Sequence, residues 1–97
     1  MKITIENPSS HSRNVLRRAG YAMHQNRDGE LSFVRRIQGM DYPRFHVYVS
    51  KEKPGKLIEI TLHLDEKKPS YEGFTAHSGQ YDGPIIEEER ARILSTI

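Results

Sequence analysis

Two segments in which apolar and polar residues alternate constrain the fold of this chain more than any other feature. They run over Arg44–Ser50 and Leu57–Asp65 and are joined across Pro54-Gly55. An alternation with a period of two is typical of a strand with one buried face, so the pair predicts an antiparallel hairpin. Its polar face would carry Arg44, His46, Tyr48 and Ser50 beside Glu59, Thr61, His63 and Asp65.

The other periodic segments extend this hairpin into a sheet with helices. They predict a strand over Lys2–Glu6, a helix over His11–Ala19 ended by Gly20, strands over Tyr21–Gln25 and Leu31–Ile37, and a helix over Ile85–Leu94 preceded by Pro84. Residues 21–65 then form a four-stranded antiparallel meander. The expected fold is α+β, a two-layer sandwich in which a short N-terminal strand, a helix, the meander and a C-terminal helix form a single domain over residues 1–97.

Apolar spacing identifies the helix faces that should pack on the sheet. The predicted inward residues are Val15, Leu16 and Ala19 in the first helix and Ile86, Ile93 and Ile97 in the second. In the N-terminal strand the outward residues are Lys2, Thr4 and Glu6, which is typical of an edge strand.

Composition excludes several classes of site. The 97 residues contain no cysteine, which excludes disulfides, thiolate catalysis and cysteine-ligated metal. The sequence also contains no apolar run long enough for a signal peptide or a membrane span, so we expect a cytoplasmic protein that does not insert in a membrane.

Charge is distributed unevenly along the chain. Residues 1–56 hold 11 Lys/Arg against five Asp/Glu, a balance of +6, whereas residues 57–97 hold four against eight, a balance of −4. Basic and aromatic residues group around the predicted hairpin: Arg35, Arg36, Tyr42, Arg44, His46 and Tyr48. Arginine suits phosphate and aromatic rings stack on bases, so this grouping favours a module that binds single-stranded or structured RNA, or another polyanion. Alternatively, the arginines pair with acidic residues of the chain itself.

Histidine and aspartate at a strand spacing suggest a second kind of site. His63 and Asp65 lie two residues apart and therefore project from one side of a strand, and His77 could supply a third ligand. In the register that pairs Tyr48 with Thr61, His46 lies directly opposite His63. Such a set suits zinc or another divalent metal, and it makes a small metal-dependent or histidine-based hydrolase the rival function. The alternative is that these histidines and the aspartate are ordinary surface residues on a polar sheet face.

The segment 69–84 lacks periodicity and predicts a long loop. It contains Tyr71, His77 and Tyr81, which would line a binding pocket against the polar sheet face. The alternative is that its aromatic residues simply pack on that face. A third function remains open: a protein–protein adaptor that recruits its partner by strand addition at Lys2–Glu6 or at another edge strand.

One short run resembles a known family. Val15–Tyr21, a helix end followed by glycine and an aromatic residue, is similar to the opening of the small messenger-RNA-cleaving toxins of toxin–antitoxin pairs. The resemblance covers about ten residues and implies a helix, three strands and a helix, as in double-stranded-RNA-binding domains. The family's Gly-Ser-His segment has no counterpart, because His24 follows Met23, so no catalytic residue carries over.

Overall fold

A computed structural model of the chain describes residues 1–25, 31–66, 79–80 and 82–97. Its elements are β1 (Lys2–Glu6), α1 (Ser12–Arg18), β2 (Ala22–Gln25), β3 (Leu31–Arg36), β4 (Arg44–Lys53), β5 (Leu57–Asp65), β6 (Gly79–Gln80) and α2 (Pro84–Ser95). Antiparallel strands in one sheet with two helices confirm the predicted α+β class.

The sheet has the order β1-β5-β4-β3-β2, which confirms the meander over β2 to β5. The predicted hairpin register is also confirmed: Tyr48 pairs with Thr61 and His46 with His63.

One strand was not predicted. The two residues of β6 pair with Leu64 and Asp65, inside the segment predicted as a loop. Because β4 occupies one edge of β5, β1 and β6 share the other edge.

Both helices pack on the apolar face of this sheet. Its centre consists of Val47, Ile58, Ile60 and Leu62, all fully buried. The helices add the predicted residues Val15, Leu16, Ala19, Ile86 and Ile93, which join the same core cluster. The prediction for Ile97 is wrong, because α2 ends at Ser95 and the Ile97 side chain is 53% exposed.

Helix α1 ends where the sequence predicts, through backbone geometry that glycine favours. Gly20 has a φ of 92°, its N–H donates to Arg17 O at 2.9 Å, and the N–H of Tyr21 donates to Leu16 O at 2.9 Å. These two bonds form a Schellman motif, in which the buried Leu16 and Tyr21 side chains supply the apolar contact.

A buried ionic cluster joins α2 to the rest of the core. The carboxylate of Glu89, which is only 3% exposed, accepts a hydrogen bond from Tyr21 Oη at 2.5 Å. It also accepts from Arg35 Nη2 at 2.9 Å and from Arg92 Nε at 2.7 Å. Arg92 Nη2 in turn donates to Ala19 O at 2.6 Å, so the cluster connects both helices and β3.

Candidate functional site

The face of β4 and β5 opposite the helices is polar. We call this surface the open face; its residues are Arg44, His46, Tyr48, Ser50, Glu59, Thr61, His63 and Asp65. Strand alternation puts them there, because their neighbours Phe45, Val47, Leu62 and Leu64 point into the core. The core thus fixes which side chains can meet on the open face.

Two histidines and an aspartate converge at one end of the open face. Asp65 Oδ2 lies 3.1 Å from His46 Nδ1, and Asp65 Oδ1 lies 2.9 Å from His63 Nε2. One potential ligand atom from each residue lies within 4.8 Å of the other two. We call these three residues the His–Asp cluster. Cross-strand pairing brings the histidines together, and the two-residue step along β5 adds the carboxylate.

The histidines of this cluster are buried although they lie on the open face. His46 is 5% exposed and His63 is 9% exposed. The ring of Tyr48 stacks on His46 with centroids 4.4 Å apart and lies 5.5 Å from His63. The edge of His24 meets His46 at 5.6 Å. Rings packed in this way hold the two imidazoles in defined positions.

One ring nitrogen of the cluster is buried and has no hydrogen-bond partner among the described residues. Because an ionised carboxylate can only accept, His46 Nδ1 carries the hydrogen that faces Asp65. The Nε2 atom of the same ring is inaccessible to solvent and makes no hydrogen bond to any residue that the structure describes. An unpaired buried polar atom costs roughly 1–3 kcal/mol, and few such atoms occur in native proteins.

The carboxyl group of Asp65 is ionised over the whole physiological range. Burial alone would raise its pKa, but hydrogen bonds from His46 and His63 outweigh burial and hold the pKa well below its usual range. Arg44 Nε adds a further donor at 3.2 Å from Oδ2. The cluster therefore presents a charged oxygen ligand between two imidazoles.

His24 belongs to this neighbourhood, and sequence reasoning missed it. It lies on β2 opposite Ser32, which pairs in turn with Tyr48. Burial, followed by the positive charge of Arg44, lowers the pKa of His24 and favours its neutral form. Only the full order of the strands reveals this position, because a single Met-His-Gln segment carries no motif.

The structure brings together Arg44, His46, Tyr48, His63 and Asp65 from the predicted site. It separates Arg35, whose guanidinium lies on the helix side in the ion pair with Glu89. Arg36 is half exposed and pairs with Asp41 at 3.1 Å. The predicted site residues Tyr71, His77 and Tyr81 lie outside the described residues.

Ion pairs within the chain reduce the positive charge of the predicted basic-aromatic grouping. Arg44 pairs with Asp65 and Arg35 with Glu89, so part of its positive charge is neutralised by carboxylates of the same chain.

A cavity of about 590 Å³ lies on the helix side, between α2 and the sheet. Its arginines, Arg35 and Arg92, are both bound to Glu89, and Glu66 and Glu88 also line it, so the cavity offers a polyanion little positive charge.

Comparison with protein-family models, curated proteins and solved structures finds no match to this chain. Within the described residues, neither helix is long and apolar enough to cross a membrane.

Proposed function

We propose that the protein binds a divalent transition metal ion, Zn²⁺ above all, through His46, His63 and Asp65. The observation that carries this proposal is the approach of three potential ligand atoms from two paired strands to within 4.8 Å of one another.

The residue types fit such an ion. Zinc takes imidazole nitrogen at about 2.0–2.1 Å and carboxylate oxygen at about 2.0–2.2 Å, which places two ligands of one ion about 3–4 Å apart. The Asp65 oxygens lie 3.1 Å and 2.9 Å from the ring nitrogens of His46 and His63. A metal ion would take the place of the hydrogens between the rings and the carboxylate.

Three protein ligands support a reactive metal ion more than a purely structural one. Structural zinc sites usually have four protein ligands, whereas catalytic sites have three and leave a position for water. A Zn²⁺ ion held by these residues would make a bound water acidic near neutral pH, which is the chemistry that a metal-dependent hydrolase requires. The proposal therefore includes a small metal-dependent hydrolase. His77 remains a predicted additional ligand, and its presence in the coordination sphere would favour a structural role.

The test is a calorimetric titration of the metal-free protein with Zn²⁺, repeated on His46→Gln and His63→Gln. We expect saturable binding of one ion, and a loss of affinity of more than about 100-fold in each variant. Removing a group that only hydrogen-bonds to a metal ligand already costs about 10–100-fold. The control is His11→Gln, since the His11 side chain is 74% exposed and lies away from the cluster.

Circular dichroism of each variant checks that the fold survives the substitution. No saturable binding by the folded wild-type protein would exclude the proposal, as would wild-type affinity in both cluster variants.

RNA or polyanion binding is the second proposal, and the position of Arg44 and Tyr48 on one face supports it. The pairing of Arg36 with Asp41 and of Arg44 with Asp65 reduces the free positive charge available for it. Binding to a short single-stranded RNA at about 50 mM salt, weakening steeply as salt increases, is the expected result. Absence of binding at that salt concentration would refute it.

A further inference from the structure

Arg44 is held rigidly beside the His–Asp cluster. Its Nε donates to Asp65 Oδ2 at 3.2 Å, and its guanidinium lies over the Tyr42 ring, 4.6 Å from the centroid. The side chain is only 14% exposed. A hydrogen bond at one edge and an aromatic ring against one face fix the plane of the guanidinium.

The outer edge of this guanidinium is unused. Within the part of the chain that the structure describes, the contacts of Arg44 involve Nε and the ring face, and no hydrogen bond involves either Nη atom. Its neighbour Arg35 differs, since both Nε and Nη2 of Arg35 bind the Glu89 carboxylate. A fixed guanidinium with free Nη donors is suited to an oxyanion.

Charge decides which oxyanion fits. With neutral imidazoles, the positive charge of Arg44 and the negative charge of Asp65 cancel, and the metal-free site attracts no anion. A divalent metal ion held by His46, His63 and Asp65 brings the local charge to +2. A tetrahedral dianion matches this charge, with one oxygen on the metal and another on the Nη donors.

We infer that the metal-loaded His–Asp cluster binds a phosphate dianion, free or as a terminal phosphomonoester, and that Arg44 is its second anchor. This inference depends on the proposed metal site. A phosphodiester carries a single negative charge, so it matches the site less well than a terminal phosphate.

The experiment uses the full chain loaded with one equivalent of Zn²⁺, with occupancy verified by metal analysis. Inorganic phosphate and adenosine 5′-monophosphate are titrated separately into the loaded protein and the metal-free protein. We expect binding only to the loaded protein. Arg44→Gln should weaken phosphate binding roughly 10- to 100-fold at equal zinc occupancy, because it removes charge-assisted hydrogen bonds. The matched control, Arg36→Gln, should bind as the wild type does.

The two arms distinguish the source of the phosphate group. Tighter binding of the nucleotide supports a phosphomonoester, and tighter binding of inorganic phosphate supports the free ion. Zinc binding without phosphate binding would overturn this inference and leave the metal site intact, as would equal effects of Arg44→Gln and Arg36→Gln. Equal phosphate binding without metal would also overturn it. Failure of zinc to bind would refute both proposals.

Discussion

Glu89 is buried although the residues before it in the sequence are exposed. It follows Glu87 and Glu88, both exposed, yet it is buried among Tyr21, Arg35 and Arg92. Burial alone would raise its pKa, but hydrogen bonds from Arg92, then Arg35 and Tyr21, outweigh burial and lower it. The same cluster raises the pKa of Tyr21, through burial and then through its hydrogen bond to Glu89.

This environment makes stability depend on pH through Glu89. A folded-state pKa below the ordinary value of 4.5 means that ionised Glu89 stabilises the fold fully above pH 4.5. The stabilisation is lost as the pH falls below 4.5 toward the folded-state pKa. Glu89→Gln should therefore lower the free energy of unfolding by about 3 kcal/mol at pH 7, with a smaller difference from wild type in acid.

Urea denaturation of both proteins at several pH values measures this difference. Glu87→Gln, an exposed substitution in the same helix, is the control. A difference between wild type and Glu89→Gln that stays constant as the pH falls would contradict the prediction.

Sequence reasoning could not identify Glu89 as buried. The spacing of Ile86 and Ile93 defines the inward stripe of α2, and residues 89 and 90 both lie near its middle. A glutamate and an arginine at these positions both suggest solvent exposure. Which of the two residues is buried depends on Arg35 and Tyr21, because both hydrogen-bond to Glu89 from more than 50 residues away in the sequence.

At the scale of elements, α1 shows which helix ends can be predicted locally. Its C-terminus follows from adjacent residues, because Gly20 adopts the positive φ that the Schellman motif needs. Its N-terminus instead depends on Glu52 of β4, whose carboxylate accepts from Ser12 N at 2.9 Å and from Ser12 Oγ at 2.7 Å. Ser12 is the first residue of the helix, and the side chain of the N-cap residue His11 makes no capping hydrogen bond.

Gly20→Ala should destabilise the fold by more than the strained φ alone accounts for. A left-handed backbone costs an ordinary residue roughly 1–2 kcal/mol, and a Cβ at Gly20 would lie 3.3 Å from Arg35 Cδ. Gly55→Ala is the matched control, because Gly55 has a φ of 75° and open space around it. Thermal denaturation of the two variants compares them, and an equal loss in both would show that the Arg35 contact has no cost.

At the scale of the whole molecule, the sheet separates stability from the proposed chemistry. Leu62 lies in the core and its neighbour His63 on the open face, so substitutions one residue apart should have different effects. Alternation and hairpin register predicted from sequence both the apolar face and the meeting of His46 with His63. The sequence did not reveal that these rings are buried, because their burial depends on contacts with Tyr48 and His24.

Zinc should raise the melting temperature of the wild-type protein, because an ion that binds only the folded state stabilises it. The gain is about 2.7 kcal/mol at a free zinc concentration 100 times the dissociation constant. A chelator should reverse the shift, and His63→Gln should show none. Leu62→Ala should instead lose about 2–5 kcal/mol of stability with or without zinc while keeping the zinc-induced shift. An equal shift in His63→Gln would indicate that zinc binds elsewhere.

The alternation in β5 also restricts how this protein can change over generations. Inserting or deleting one residue between the hairpin turn and Leu62 would turn Leu62 and Leu64 toward solvent and His63 into the core. Such a lineage would lose its core and its His–Asp cluster in a single event. Descendants should therefore vary β5 by substitution and keep its length, so the spacing from the turn to His63 and Asp65 becomes an inherited signature by which relatives can be sought.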